Sequence, residues 1–130
     1  MADQPAIRVL LVDDHQMVRQ GLLYFLSAQE GIEVVGQAEN GLQAVTMVEE
    51  TRPDVVLMDL AMPEMDGLEA LRRIKADHAD IEVLVLTSFV DDEKVLAAIE
   101  HGASGYLMKD IKPGEPSSMA ASTFSSSTKL

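Results

Sequence analysis

The chain has 130 residues, 47% of them hydrophobic, a formal net charge of −12 and no cysteine. One folded domain with its own core is expected, and a disordered chain, disulfide staples and thiolate chemistry are excluded. So acidic a surface repels phosphate backbones, so this segment is not expected to bind nucleic acid; no apolar run is long enough to span a bilayer and no signal-peptide pattern opens the chain, which makes the cytoplasm the expected setting.

The first apolar run, "IRVLLV" (7–12), has strand length and ends on Asp13 and Asp14. Residues 15–28 carry Met17, Val18, Leu22, Phe25 and Leu26 at helical spacing, with Asp14 placed to cap. "IEVVGQA" (32–38) reads as a second strand. A helix over 41–50 follows behind Asn40, with Leu42, Val45 and Val48 on one face. "DVVLMD" (54–59) is a third strand that stops on Asp59. A helix over 67–77 carries Leu68, Leu71 and Ile74 behind Asp66. "IEVLVLT" (81–87) is a fourth strand, ending at Thr87 and Ser88. A helix over 92–101 carries Val95, Leu96 and Ile99 between Asp91 and a stop at Gly102. "SGYLMK" (104–109) closes the series on Lys109.

Strands and helices alternate, which predicts an α/β fold: a parallel sheet with helices on both faces and right-handed crossovers. The first, third and fourth strands are nearly continuous in apolar character, as strands covered on both faces are. After Lys112 the pattern fails. "PGEPSSMAASTFSSSTKL" (113–130) is rich in Ser, Ala, Thr and Pro, and reads as a linker, tail or appended remnant after a domain over 1–112.

In an open α/β sheet, ligands bind beyond the carboxyl ends of the strands. Parallel strands would bring Asp13, Asp14, Asp59, Thr87, Ser88 and Lys109 to that one edge. Carboxylates so close repel one another, and a divalent cation offsets the repulsion. The donors are oxygens, which favours a hard ion such as Mg²⁺ over zinc. Lys109 can hold a phosphate oxygen and Thr87 can donate a hydrogen bond to another. Such a pocket suits phosphoryl transfer, with a carboxylate as the nucleophile. Taken singly, each of these residues reads first as structural, a turn-former or a cap, and only the five-strand pattern with all of them in place turns the reading to function.

The stretches "RVLLVDDHQMVRQGL", "PDVVLMDLAMPEMDGLEAL", "VLVLTSF" and "HGASGYLMKD" resemble the receiver domain of two-component response regulators. The likeness spans residues 7–110 and is to the NarL/LuxR-type branch. It implies a flavodoxin-like, doubly wound, five-stranded parallel sheet of order 2-1-3-4-5. Asp59 matches the phospho-accepting aspartate. Asp14 would bind Mg²⁺ directly, Asp13 more through water, and Ala61 through its backbone carbonyl. Thr87 and Lys109 match the residues that contact phosphoryl oxygens, and Ser88 a small position that leaves the site open. Tyr106 matches an aromatic coupled to Thr87 in a switch. The implied partner is a histidine kinase, and the implied output is control of transcription through an effector domain outside this chain.

Three departures from the pattern stand out. Ala61 sits where many members carry a polar side chain, which bears on the dephosphorylation rate. Asp110 stands where many have proline in a cis peptide; a non-proline cis bond costs about 3 kcal/mol, so a trans or strained bond is expected at Lys109–Asp110. The usual fifth helix is absent or replaced by the atypical tail, which would leave part of one sheet face bare and open to a partner, a homodimer or a swapped segment.

Plainer readings stand beside these. Tyr106 can simply pack an edge of the fifth strand with its hydroxyl in water. His15, His78 and His101 read as surface residues rather than ligands. The methionines read as core filler. Pro63 and Gly67 would shape the loop after Asp59, with Glu64 and Asp66 solvating and capping. A Mg²⁺-dependent phosphohydrolase would also use an aspartyl phosphate, but would want a general acid where Ala61 stands. A receiver-like module that only binds a partner, or a truncated variant, are the remaining alternatives.

Overall fold

The computed structural model describes residues 5–60, 67–87 and 92–108. They form β1 (Ile7–Val12), α1 (Gln16–Ser27), β2 (Ile32–Ala38), α2 (Gly41–Thr51), β3 (Val55–Asp59), α3 (Gly67–Asp77), β4 (Glu82–Thr87), α4 (Asp92–Glu100) and β5 (Gly105–Met108). The strands pair in parallel in the order β2-β1-β3-β4-β5. This is the order that the likeness to receiver domains implies, and each element lies within a residue or two of its expected place.

The burial follows the pleat. Leu10, Val12, Val56, Met58, Val83 and Val85 point to one face, where Ala44 and Val48 of α2, Ala70, Leu71 and Ile74 of α3 and Ala98 of α4 cover them. Val9, Leu11, Leu57, Leu84, Leu86 and Leu107 point to the other and join Leu26 of α1, with Leu22, Leu23 and Phe25 packed against them. Strict alternation within runs that are apolar throughout is what burial of both faces requires. At Leu84, Leu86 and Leu107 the second face is not bare: all three are buried, as parts of a cluster continuous with the α1 contacts.

Several local expectations need correction. Asp14 does not cap α1. The N-cap is His15, with no side-chain cap hydrogen bond. Met17, Leu42, Leu96 and Ile99 do not face the core; Met17 is 83% exposed. A helix turns about 100° per residue, so the buried stripe of α1 runs through half-buried Val18, Leu22 and Phe25 to Leu26 and leaves Met17 on its outer flank. In α4 the small Ala98 packs inward instead of its larger neighbours. Asn40 does cap α2, its side chain accepting from the Gln43 N–H. Gly102 follows α4 at φ 108, the left-handed conformation that ends helices and that glycine adopts without penalty.

The caps expected at Asp66 and Asp91, the loop carrying Ala61, Pro63 and Glu64, Ser88, Lys109, the Lys109–Asp110 peptide and the tail over 113–130 lie outside the described residues. No described helix is long and apolar enough to cross a membrane.

Candidate functional site

β1 and β3 are neighbours in the sheet, with Val12 opposite Met58. The residues that follow in register, Asp13 and Asp59, therefore leave the sheet side by side. Asp59 is the last residue of β3 and is opposite Leu86 of β4. Thr87 is one step further along β4, opposite Met108, the residue before Lys109. The backbone thus brings the ends of β1, β3, β4 and β5 to one edge. Described side chains there are those of Asp13, Asp14, His15 and Asp59.

Asp13 is fully buried and Asp59 nearly so, at 3% exposure. A carboxylate that deep is costly without compensation. Asp13 is held from several directions. Its N–H donates to the Ala38 carbonyl at the end of β2 at 3.1 Å. Its Oδ1 accepts from the His15 N–H at 2.8 Å and lies 3.1 Å from His15 Nδ1. The same Nδ1 is 3.1 Å from Asp14 Oδ1, so one ring nitrogen lies within reach of both members of the acidic pair. The Asp13 carbonyl accepts from Arg19 Nη1 at 2.6 Å.

Behind Asp59 the chain turns tightly. Leu60 donates its N–H to the Leu86 carbonyl at 3.2 Å, and its own carbonyl accepts from the Gly67 N–H at 3.0 Å. A Cβ on Gly67 would strike the Asp59 carbonyl oxygen and lie 2.7 Å from Leu60 Cα. Glycine is needed because α3 begins directly against the backbone that presents Asp59.

One donor atom from each of Asp13, Asp14, His15 and Asp59 lies within 4.8 Å of the others. Three carboxylates in so small a space repel strongly in a part-buried setting. The set fits a hard divalent cation: the buried donors are carboxylate oxygens, and Asp14 and His15 leave the outer side to solvent. The acidic pair and Asp59 were legible from the strand ends. His15 and Arg19 were not. His15 is exposed, as expected of a surface histidine, yet its ring reaches the pair. His78 is not a plain surface residue either: its side chain is 11% exposed and its Nε2 is 2.8 Å from Glu49 Oε2 across α2 and α3. Tyr106 is half-exposed on β5.

The sequence pattern of the response regulator receiver domain matches residues 9–120. The chain belongs to that family. The transcriptional regulatory protein LiaR of Bacillus subtilis is 53% identical over 109 residues, covering 84% of this chain and 52% of that protein. The receiver thus spans about half the length of the curated relatives it matches. Among solved structures, the receiver domain of Thermotoga maritima CheB superposes with a TM-score of 0.85 at 31% identity, over 95% of each chain. The signal receiver domain of the response regulator NarL from Mycobacterium tuberculosis gives 0.83 at 28% identity, covering 98% of this receiver and all of that one. These likenesses fit the flavodoxin-like fold and the reading of the chain as a two-component receiver domain.

Proposed function

We propose that this receiver accepts a phosphoryl group on the Asp59 carboxylate from the phosphohistidine of a histidine kinase. The burial of Asp59 within 4.8 Å of the Asp13–Asp14 pair carries this reading. A carboxylate oxygen of Asp59 attacks phosphorus as the P–N bond to the kinase imidazole breaks, and an acyl phosphate results. Mg²⁺, when bound, neutralises charge on the phosphoryl oxygens. Asp14 and Asp59 would hold it through carboxylate oxygens, Asp13 largely through water and Ala61 through its carbonyl. Thr87 and Lys109 would take the remaining phosphoryl oxygens, at the ends of neighbouring strands. Turnover of a separate substrate is not part of this role. The phosphorylated receiver would pass its state through Thr87 and Tyr106 to a second copy or to an effector region, and so to transcription. Its relatives in Bacillus subtilis are transcriptional regulatory proteins, which agrees with that output.

The deciding experiment is intact-mass spectrometry after incubation with acetyl phosphate and Mg²⁺. The expected result is gain of one phosphoryl group in the wild type and none in Asp59→Asn or in EDTA. A wild type that gains nothing, or an Asp59→Asn variant that gains as much, overturns the proposal.

A further inference from the structure

We propose that Arg19 is a positioning residue for the cation site, fixing the Asp13 peptide so that the acidic pair stands beside Asp59. The inference rests on the reading of that site as a divalent-cation site and deepens it.

Arg19 is on the first turns of α1, its own N–H donating to the His15 carbonyl at 3.0 Å. Its side chain turns back toward the sheet, and Nη1 donates to the Asp13 carbonyl at 2.6 Å. The Asp13 N–H is tied to Ala38 on the other side. The backbone of one residue at the end of β1 is therefore clamped at its N–H by β2 and at its C=O by α1. The Asp13 carbonyl belongs to the peptide that leads into Asp14, so the clamp sets the direction of both carboxylates. The His15 N–H on Asp13 Oδ1 completes a closed set of bonds around the turn.

The arrangement has a cost that a surface arginine would avoid. Arg19 Nε is buried without a hydrogen-bond partner among the described residues. A donor of a charged group left so is unfavourable, and such exceptions call for a compensating role. The compensation is electrostatic and geometric. A guanidinium cannot deprotonate, and here it is bonded to the backbone of Asp13, one of the three close carboxylates. It also reaches the carbonyl with a rigid fork, which a lysine ammonium lacks. Groups that orient metal ligands typically change metal affinity when removed, without touching the ion.

The test is isothermal titration calorimetry of the whole chain with Mg²⁺ and no phosphodonor, on wild type, Arg19→Lys and Arg19→Met. Thermal midpoints in EDTA are measured alongside. Arg19→Met is expected to weaken Mg²⁺ binding by about 10- to 100-fold, with Arg19→Lys between it and wild type. A merely structural role would lower the midpoint in EDTA and leave Mg²⁺ affinity unchanged; that result overturns the inference. If Arg19→Met does not fold by circular dichroism, Arg19→Lys decides alone: weaker binding than wild type supports the clamp, and equal binding overturns it. A wild type that binds no Mg²⁺ overturns the cation-site reading itself, and this inference with it.

Discussion

Gly67 and Asp59 are in backbone contact: the first residue of α3 lies where any Cβ would meet the Asp59 carbonyl oxygen. The obstacle is main chain on both sides, since Leu60 Cα is the next nearest atom at 2.7 Å. No side-chain rotation relieves it. Gly67→Ala must therefore push α3 away from the end of β3. The expected loss is about 1–3 kcal/mol in urea denaturation. The same shift moves Asp59 relative to the acidic pair, so phosphorylation by acetyl phosphate should slow as well. A variant as stable and as reactive as wild type would show that the helix start yields freely.

Asp59→Asn should stabilise the chain when no divalent cation is present. The substitution keeps the side-chain volume and removes one of three carboxylates that crowd within 4.8 Å. Relief of that repulsion is expected to be on the order of 1–3 kcal/mol at neutral pH. Adding Mg²⁺ should then raise the melting temperature of wild type more than that of Asp59→Asn, because on the proposed reading the ion would bind the native state through that carboxylate. Melting curves in EDTA and in Mg²⁺ check both halves. An Asp59→Asn variant less stable than wild type in EDTA would mean that repulsion is already offset by other contacts.

Much of the fold was legible because burial on both faces leaves a plain trace: Val9 to Val12 and Val56 to Met58 admit no polar residue, and each run stops at a carboxylate. Asn40 and Gly102 were legible because capping chemistry is local to a few residues. The borders of the helix stripes were not. Met17 and Leu96 share the apolar character of their buried neighbours, and only the angle at which each helix meets the sheet leaves them outside. Asp14 looked like a cap because the carboxylate precedes a helix; in the fold it turns to the Asp59 side, and His15 takes the cap position. Arg19 left no trace at all, because its role depends on a carbonyl that comes near only once α1 has packed.

The His78–Glu49 contact makes a pH-dependent prediction. The hydrogen bond with His78 holds the Glu49 carboxyl below the usual glutamate range; desolvation opposes it, and the charges of His78 and Arg52 add to the lowering. A carboxyl depressed on folding adds stability above its unfolded pKa and loses it as pH falls through the folded one. The contribution should thus be present at neutral pH and vanish on the acid side of the glutamate range. Carbon-detected NMR titration should find Glu49 titrating low in wild type, and moving upward in His78→Gln. An unchanged titration in the variant would place the cause elsewhere.

The start of α2 offers the last prediction. Asn40 Oδ1 accepts from the Gln43 N–H at 2.8 Å, and Gln43 Oε1 accepts from the Glu39 N–H at 2.9 Å. The two side chains close a reciprocal pair around the helix entrance, satisfying donors that the helix cannot. Asn40→Ala removes one arm and is expected to cost about 1 kcal/mol in chemical denaturation. Asn40→Asp keeps the acceptor and adds a charge favoured by the helix N-terminus, so it should stay within a few tenths of a kcal/mol of wild type. Because both arms share one turn, Asn40→Ala and Gln43→Ala combined should cost less than the sum of the two. Strict additivity would show that the two hydrogen bonds act independently, and that the entrance of α2 is held by its packing on β2.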